Sequence, residues 1–253
     1  AAMKTYFGED CNSYSVRTFR DAMEAIEEGA ADYAVLPIEN STAGAVNEVY
    51  DLLVEFENYI VGEVIIPITH TLAGLPGTQL SELKRVYSKA EALMQTTRFL
   101  EEHSDWQQIS VANTAIAAKK ILDDQDRTQA AVCSAYAAKV YGLEVLEDNI
   151  NDESGNCTRF IIVTNQKVFL KGAKKIGICF EVPHESGSLY HLLSHFIYND
   201  LNMSKIESRP IEGRSWEYRF FVDFEGNLEE PGVKNALRGL REESRSLKIL
   251  GNY

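Results

Sequence analysis

The sequence predicts an α/β protein in two parts: a two-lobed first part built on mainly parallel sheets, and a smaller second part of βαββαβ order. In the first part, short apolar runs alternate with segments of helical periodicity as far as residue 165. Such alternation is typical of strands and helices packed in layers. A lysine-rich linker at residues 166–175 then separates this pattern from a different one.

Composition narrows the possible functions. The 253 residues are 45% hydrophobic and 25% charged, with a net charge of −13. This acidic balance argues against nucleic acid and anionic membranes as partners, so an anionic substrate must be held by a local cluster of donors. The four cysteines lack paired spacing, which favours reduced thiols in a cytoplasmic protein, and no metal site is predicted.

The first helix and strand have clear boundaries. Thr18 with Asp21 forms a capping box, and the helix it opens ends near Gly29. The apolar run 33–38 predicts a buried strand, with polar residues 39–42 at its carboxyl end. Because free N–H groups and the helix dipole point the same way, a strand leading into a helix start can bind an anion.

The same unit recurs along the first part of the chain. Each short strand is followed by a polar residue that opens a helix, although any one of them can be a helix cap and nothing more. The predicted helix at 46–56 follows the first strand. The later units are the strand 83–87 with a capping box from Ser88 to Glu91 and Gln95 beyond it, the strand 109–112 with Asn113 and Thr114, and the strand 130–133 with Ser134.

Two extended segments divide the first part into lobes. Residues 59–75 lie between the first and second groups of units, and residues 156–163 come after the second group. We therefore expect one lobe from residues 1–72 with 154–168 and another from 73–153, with ligands bound in the cleft between them. The second part, residues 173–253, predicts the strand–helix–strand–strand–helix–strand order of a ferredoxin-like domain.

The segment 154–160 offers the chemistry most worth attention. Asn156 can donate and accept hydrogen bonds, Thr158 has a hydroxyl, and Arg159 has a planar fork suited to a carboxylate. A β-branched apolar run follows directly, so these side chains are expected at the start of a buried strand. Taken alone, the segment also fits a hydrophilic turn before a strand.

Several motifs together resemble the prephenate dehydratase family. The resemblance covers nearly the whole chain and implies a periplasmic-binding-protein-like catalytic domain at 1–168, followed by an ACT regulatory domain. The matching catalytic motifs are Pro37-Ile38-Glu39-Asn40-Ser41, Ser88 with Gln95, Asn113-Thr114 and Asn156 through Phe160. The matching regulatory positions are Gly187, Leu189, Glu207, Ser208, Arg209 and Pro210. Many relatives have histidine where this chain has Lys89.

The resemblance implies conversion of prephenate, a small dicarboxylate, to phenylpyruvate, without metal or cofactor. It makes Thr158 the donor to the leaving oxygen, with Arg159 as a carboxylate anchor, Glu39 as a possible proton relay and Asn156 beside them. It also implies feedback by phenylalanine and self-association as a dimer or tetramer. The implied substrate-binding residues are Asn40, Ser41, Ser88, Gln95, Asn113, Thr114 and Phe160; the implied phenylalanine-binding residues are Gly187, Ser188, Leu189, Glu207, Ser208 and Arg209.

Two other functions remain open. Arogenate dehydratase acts on a substrate with an amine in place of the side-chain keto group, and a non-catalytic two-lobed carboxylate sensor binds its ligand by similar helix ends. Relatives also begin with a strand and a glycine-rich loop that have no counterpart in residues 1–253. We therefore expect this segment alone to bind phenylalanine but to turn over prephenate poorly.

Overall fold

The structure is a computed structural model that describes residues 2–253. Its α-helices are α1 Ala2–Phe7, α2 Phe19–Glu27, α3 Asn47–Glu55, α4 Ala90–Met94, α5 Thr97–Glu101, α6 Thr114–Asp124, α7 Ala135–Val140, α8 Ser188–Tyr198 and α9 Pro231–Glu243. A 3₁₀ turn spans Leu80–Glu82. Its strands are β1 Ala34–Asn40, β2 Gly44–Ala45, β3 Tyr59–Pro67, β4 Thr71–Gly74, β5 Arg85–Ser88, β6 Gln107–Ser110, β7 Gln129–Cys133, β8 Glu144–Glu147, β9 Cys157–Thr164, β10 Lys175–Glu181, β11 Met203–Pro210, β12 Tyr218–Glu225 and β13 Ser246–Asn252.

The described chain forms two compact units. The first is Pro67–Cys157, and the second joins Ala2–Ile66 to Thr158–Tyr253. The C-terminal part thus clusters with the N-terminal residues. The predicted boundary between residues 168 and 173 remains a prediction.

The first unit contains a five-stranded sheet in the order β6-β5-β7-β4-β8. Strand β5 runs parallel to β6 and β7, whereas β4 runs antiparallel to β7 and β8. Since β7 is buried along its whole length, it needs apolar cover on both faces. Two hydrophobic clusters provide this cover, one including Ile121 and Ala138 and the other Leu100 and Trp106.

The second unit contains an eight-stranded sheet in the order β11-β12-β10-β13-β3-β9-β1-β2. Its C-terminal half has the chain order β10-α8-β11-β12-α9-β13 with antiparallel pairing of β10 to β12 and β13, and of β11 to β12. This is the predicted ferredoxin-like βαββαβ arrangement. Its core packs Phe180, Phe196 and Phe224 between the sheet and the two helices.

A close backbone contact joins the two halves of this sheet. Gly251 on β13 pairs in parallel with Ile60 on β3. A β-carbon at position 251 would lie 2.1 Å from the Ile60 carbonyl oxygen, so only glycine allows the strands to approach this closely. The residues of the C-terminal domain are therefore continuous, through hydrogen-bonded strands, with those of β9 and β1.

The structure corrects several predicted elements. Strand β1 pairs antiparallel with β2 and β9, so the second unit does not have the mainly parallel sheet that the repeated units predict. The extended segment 59–75 is two strands, β3 and β4, and not one. The capping box predicted at Ser88 is absent, because Ser88 ends β5 and Lys89 occupies the N-cap of α4 without a side-chain bond. The capping box of Thr18 and Asp21 is confirmed.

Candidate active site

Strands β1 and β9 bring the first predicted group together. They pair antiparallel with Asn40 opposite Thr158 and Glu39 opposite Arg159. The register shifts between Pro37 and Glu39, and a bulge of this kind re-aims the side chains at a strand end. Thus Glu39 and Asn40 belong to the strand itself, which ends two residues later than the sequence predicts.

The Thr158 hydroxyl accepts a side-chain hydrogen bond of defined direction. The Asn40 Oδ1 atom accepts from the backbone N–H groups of Thr42 at 3.0 Å and Ala43 at 2.8 Å. This orients the amide so that Asn40 Nδ2 donates to Thr158 Oγ1 at 3.0 Å. Because the threonine oxygen accepts this bond, its own hydrogen is left to donate to another acceptor. The residue is 9% exposed.

Arg159 lies among carboxylates on the other face of β9. Its guanidinium contacts Asp223 at 2.7 Å, and Glu39 and Glu63 at 3.3 Å each. The side chain is only 13% exposed. Burial works to lower the pKa of Arg159, but the favourable interactions around it, led by the charge of Asp223, together outweigh burial and raise the pKa, so the guanidinium stays protonated.

The role of Arg159 as a substrate anchor stays a prediction, and in this structure the guanidinium is engaged inside the protein. A guanidinium has five donors in one plane, and here its fork already serves the carboxylates of its own sheet. Glu39 is a poor proton relay for a related reason. Although partial burial works to raise its pKa, the hydrogen bond and charge of Lys205, followed by Arg159, lower it and favour the carboxylate.

A second polar group forms in the other unit around Gln95. Gln95 follows α4 as its C-cap and accepts a hydrogen bond from Asn156 Nδ2 at 3.1 Å through Oε1. The same Oε1 atom lies 2.9 Å from His70 Nε2. With Nε2–H as the histidine donor, both contacts use the Gln95 oxygen, and its NH₂ group is left as a donor. Sequence reasoning missed His70, because no motif surrounds it. Its contact with Gln95 in the structure identifies it.

The remaining predicted substrate-binding residues divide into three kinds. Ser88 is fully buried and donates to the Val132 carbonyl at 2.6 Å, so in this structure its hydroxyl bonds to the sheet, and its substrate contact stays a prediction. Asn113 caps α6 through a 2.8 Å bond from the Ile116 N–H, and Thr114 is the first residue of that helix.

Ser41 and Phe160 flank the pair of strands. Ser41 is exposed in the turn after β1. Phe160 is half-buried on β9 opposite Pro37. Side chains alternate along a strand, so Phe160 shares a face with Thr158, which is the face away from Arg159.

The predicted regulatory residues do not form one group. Gly187, Ser188 and Leu189 line a cavity of about 250 Å³ at the start of α8, together with Trp216 and Tyr218. Gly187 has φ of 83°, the left-handed conformation that glycine adopts without strain.

The other three predicted regulatory residues are on β11 and outside this cavity. The burial of β11 alternates along its length. Glu207 and Arg209 are half-buried, and Arg209 pairs with Asp51 of α3 at 2.7 Å. Ser208 is exposed, on the opposite face of the strand.

Among residues 2–253, no group of three or more histidine, cysteine, aspartate or glutamate side chains is placed to hold a metal ion. The four cysteines are unpaired in this part of the chain. Nor does it contain a helix with the length and apolar character that crossing a membrane requires.

The family model for prephenate dehydratase matches residues 1–168. The chain belongs to the prephenate dehydratase family. This confirms the resemblance that the motifs of β1, β9 and the α6 start indicate.

Curated relatives of this prephenate dehydratase family member include enzymes with a second activity. The chain is 38% identical over 250 residues to a bifunctional chorismate mutase/prephenate dehydratase of Aquifex aeolicus, covering 98% of this chain and 68% of the relative. It is 36% identical to arogenate dehydratase/prephenate dehydratase 6 of Arabidopsis thaliana, covering all of this chain and 65% of that protein. The chain thus spans about two thirds of the length of these relatives.

Solved structures match over almost the whole chain. The prephenate dehydratase of Arthrobacter aurescens in complex with L-phenylalanine has a TM-score of 0.90 at 32% identity, covering 99% of this chain and 84% of that one. A protein described as a novel type of quorum-quenching acylase has the same TM-score at 31% identity, covering 99% of this chain and 91% of that one.

Proposed function

We propose that this chain converts prephenate to phenylpyruvate. The bond from the ring to its carboxylate breaks and releases carbon dioxide. The electron pair passes through the diene and expels the C4 hydroxyl, which takes up a proton and leaves as water. Formation of the aromatic ring provides the driving force, so the enzyme must mainly hold two carboxylates and help the hydroxyl depart.

The observation that carries this proposal is the direction of the hydrogen bond at Thr158. Since Asn40 donates to Thr158 Oγ1, the threonine hydrogen can point at the leaving oxygen. A threonine hydroxyl is a weak acid, so we assign it a hydrogen bond that strengthens as negative charge develops on that oxygen. A preorganised donor of this kind typically contributes about 10²–10³ in kcat.

The second group of residues supplies donors for anionic substrate groups. The NH₂ group of Gln95 is left to donate because its oxygen serves Asn156 and His70. The first N–H groups of α6, at Asn113 and Thr114, carry the positive end of a helix dipole. We infer that these donors hold carboxylates of the substrate, which assigns anchoring to neutral groups in place of Arg159.

We also propose that residues 173–253 are an ACT domain that binds phenylalanine, preceded by a two-lobed, periplasmic-binding-protein-like catalytic domain at 1–168. The cavity at Gly187–Leu189 supports an amino-acid site, and the matched Arthrobacter enzyme is in complex with L-phenylalanine. Exposed apolar side chains on the same domain support self-association as a dimer or tetramer. They are Tyr190, Ile197, Tyr198, Ile206 and Trp216.

Arogenate is the second candidate substrate, because the similar Arabidopsis protein is an arogenate dehydratase/prephenate dehydratase. The two substrates differ only in a side-chain keto or amino group. Side-chain amide and helix N–H donors favour carboxylates and do not recognise an ammonium group, so the preference between the two substrates depends on the polar groups near that position. Side-by-side kcat/KM values for prephenate and arogenate discriminate the two.

The proposed reaction is tested by incubating the natural protein with prephenate and following phenylpyruvate by its ultraviolet absorbance. We expect turnover without added metal, and we expect phenylalanine to inhibit it. Calorimetry run in parallel separates an enzyme from a sensor. Prephenate binding without phenylpyruvate, under conditions where arogenate is also not consumed, would overturn the proposal.

A further inference from the structure

Two charged side chains of the ferredoxin-like domain reach the strands that carry Thr158. Asp223 on β12 contacts Arg159 on β9 at 2.7 Å. Lys205 on β11 contacts Glu39 on β1 at 2.7 Å. In the register of β1 and β9, Glu39 and Arg159 form the pair next to Asn40 and Thr158.

The contact between Arg159 and Asp223 is well shielded from water. The two side chains are 13% and 15% exposed. Where water is excluded, removal of one partner of an ion pair leaves the other charge poorly compensated and destabilises the fold. Arg159 keeps Glu39 and Glu63 as neighbours, so loss of Asp223 should redistribute the guanidinium among its partners and not release it.

The position of Asp223 is set by its own strand. It lies on β12 opposite Gly177 of β10 and Lys205 of β11. A β-carbon at position 177 would lie 3.3 Å from Asp223 Oδ1, so the small residue leaves room for the carboxylate. Asp223 is therefore placed by the ferredoxin-like sheet and not by the strands it contacts.

We propose that Asp223 and Lys205 are positioning residues for Thr158: they fix β9 through Arg159 and β1 through Glu39. The inference rests on the proposed dehydratase function. In this proposal, Arg159 and Lys205 position strands β9 and β1 and do not anchor the substrate. The C-terminal domain then helps to align the Thr158 hydroxyl. Misplacement of a reacting group by about 1 Å can cost about 10²-fold in rate, so small shifts of β9 suffice.

Kinetics on Asp223→Asn provide the first test. The variant keeps the shape of the side chain and removes its charge. We expect kcat for prephenate to fall about tenfold or more while KM changes less than about twofold, because a donor acting in the transition state is displaced. Unchanged kcat in a folded variant would overturn the proposal.

Glu181→Gln is the matched control. Glu181 is also a carboxylate with a largely buried side chain on this sheet, and its partners are Arg214 at 2.8 Å and Arg219 at 2.6 Å. We expect it to lose thermal stability as Asp223→Asn does, but to keep kcat in the absence of phenylalanine. An equal fall of kcat in both variants would mean that Asp223 acts only through general stability.

A double-mutant cycle with Thr158→Ala adds a readout that a purely structural role does not move. If Asp223 acts through the Thr158 hydroxyl, Asp223→Asn should lower kcat by less than about twofold once that hydroxyl is absent. Equal factors in both backgrounds would contradict the proposal.

Hydrogen exchange tests the same inference without activity, and so separates its failure from failure of the proposed function. In Asp223→Asn, backbone amides of residues 157–161 should exchange faster than in the natural protein or in Glu181→Gln. In Lys205→Met the increase should fall on residues 38–42. If the natural protein has no dehydratase activity, the proposed function fails, and unchanged exchange in these strands would overturn the positioning role.

Discussion

At the scale of single residues, the direction of one hydrogen bond decides what Thr158 can do. Its oxygen accepts from Asn40, whose own oxygen is occupied by two backbone N–H groups. A flip of this amide would turn its NH₂ group toward two N–H donors and lose both of those bonds. The threonine hydrogen is therefore preorganised as a donor, and the cost of orienting it does not fall on the reaction step.

Thr158→Ala should lower kcat and kcat/KM together by about 10²-fold or more, because it removes a donor that acts on the transition state. Thr158→Val, which keeps the shape without the hydroxyl, should be as impaired as the alanine variant. Thr158→Ser should keep activity within about tenfold. Steady-state kinetics with prephenate measure all three, and near-normal kcat in Thr158→Val would contradict the assignment.

The sequence predicted the residue types of the site better than their partners. Thr158, Asn40, Gln95 and Asn156 are side chains whose local motif marks them, and the structure brings them together as two pairs. The ion pair of Arg159 with Asp223 could not be predicted, because Asp223 lies 64 residues away and carries no local signal.

The hydrogen-bond partners of other polar residues in this part of the chain were also not predictable from local sequence. Ser88 looks like a free helix cap in the sequence, whereas the fold turns its hydroxyl to the Val132 carbonyl. His70 lies 25 residues from Gln95 in the sequence, and no periodic pattern around it indicates a site. Only the return of the chain at β9 brings Asn156 to Gln95, and Gln95 in turn to His70.

At the scale of elements, β11 separates two tasks by its alternation. Lys205, Glu207 and Arg209 lie on the half-buried face, where Lys205 binds Glu39 and Arg209 binds Asp51. Ser208 lies on the exposed face. The run of regulatory residues that the sequence presents as one motif is thus divided by the period of two of a strand. Strand positions were predictable from apolar runs, but antiparallel pairing of β1 with β9 depends on contacts distant in sequence.

The ion pair of Glu39 with Lys205 should affect how the free energy of unfolding changes at acidic pH. The pKa of Glu39 is lowered in the folded state, so its contribution is present above the pKa of the unfolded chain, about 4.3, and is lost as pH falls through the folded value. Glu39→Gln should therefore be less stable than the natural protein at pH 6–7, and the difference should shrink below about pH 4.5.

Urea unfolding at a series of pH values measures this difference. Lys205→Met provides the reciprocal variant, because it removes the cation that contributes most to lowering the pKa of Glu39. The acid-dependent loss of stability should be smaller in both variants than in the natural protein. A difference between Glu39→Gln and the natural protein that stays constant from pH 7 to pH 3 would show that the ion pair does not stabilise the fold.

At the scale of the whole second unit, one sheet connects the cavity proposed for phenylalanine with strands β1 and β9. Tyr218 and Phe220 of β12 line the cavity at Gly187–Leu189, and β12 also carries Asp223. The β13–β3 contact at Gly251 continues the sheet to β9 and β1. We infer that an amino acid bound at the cavity alters the setting of Thr158 by shifting β12 and, with it, the contact of Asp223 with Arg159. Coupling between this cavity and Thr158 can be measured by the effect of each ligand on the binding of the other.

Phenylalanine should bind the natural protein, raise its unfolding temperature and lower its affinity for prephenate. A ligand that binds only the folded state adds about 2.7 kcal/mol at 100 times its Kd. Because coupling between two sites is reciprocal, prephenate must weaken phenylalanine by the same factor. Calorimetry in the presence and absence of the other ligand measures both factors. D-phenylalanine is the ligand control, since a site in which the ligand lies close to the backbone at Gly187 should discriminate between the two enantiomers.

Gly187→Val should lose phenylalanine binding, because valine is strained at φ of 83° and fills the cavity. Its kcat in the absence of phenylalanine should be unchanged. Equal inhibition of Gly187→Val and of the natural protein by phenylalanine would move the effector site elsewhere.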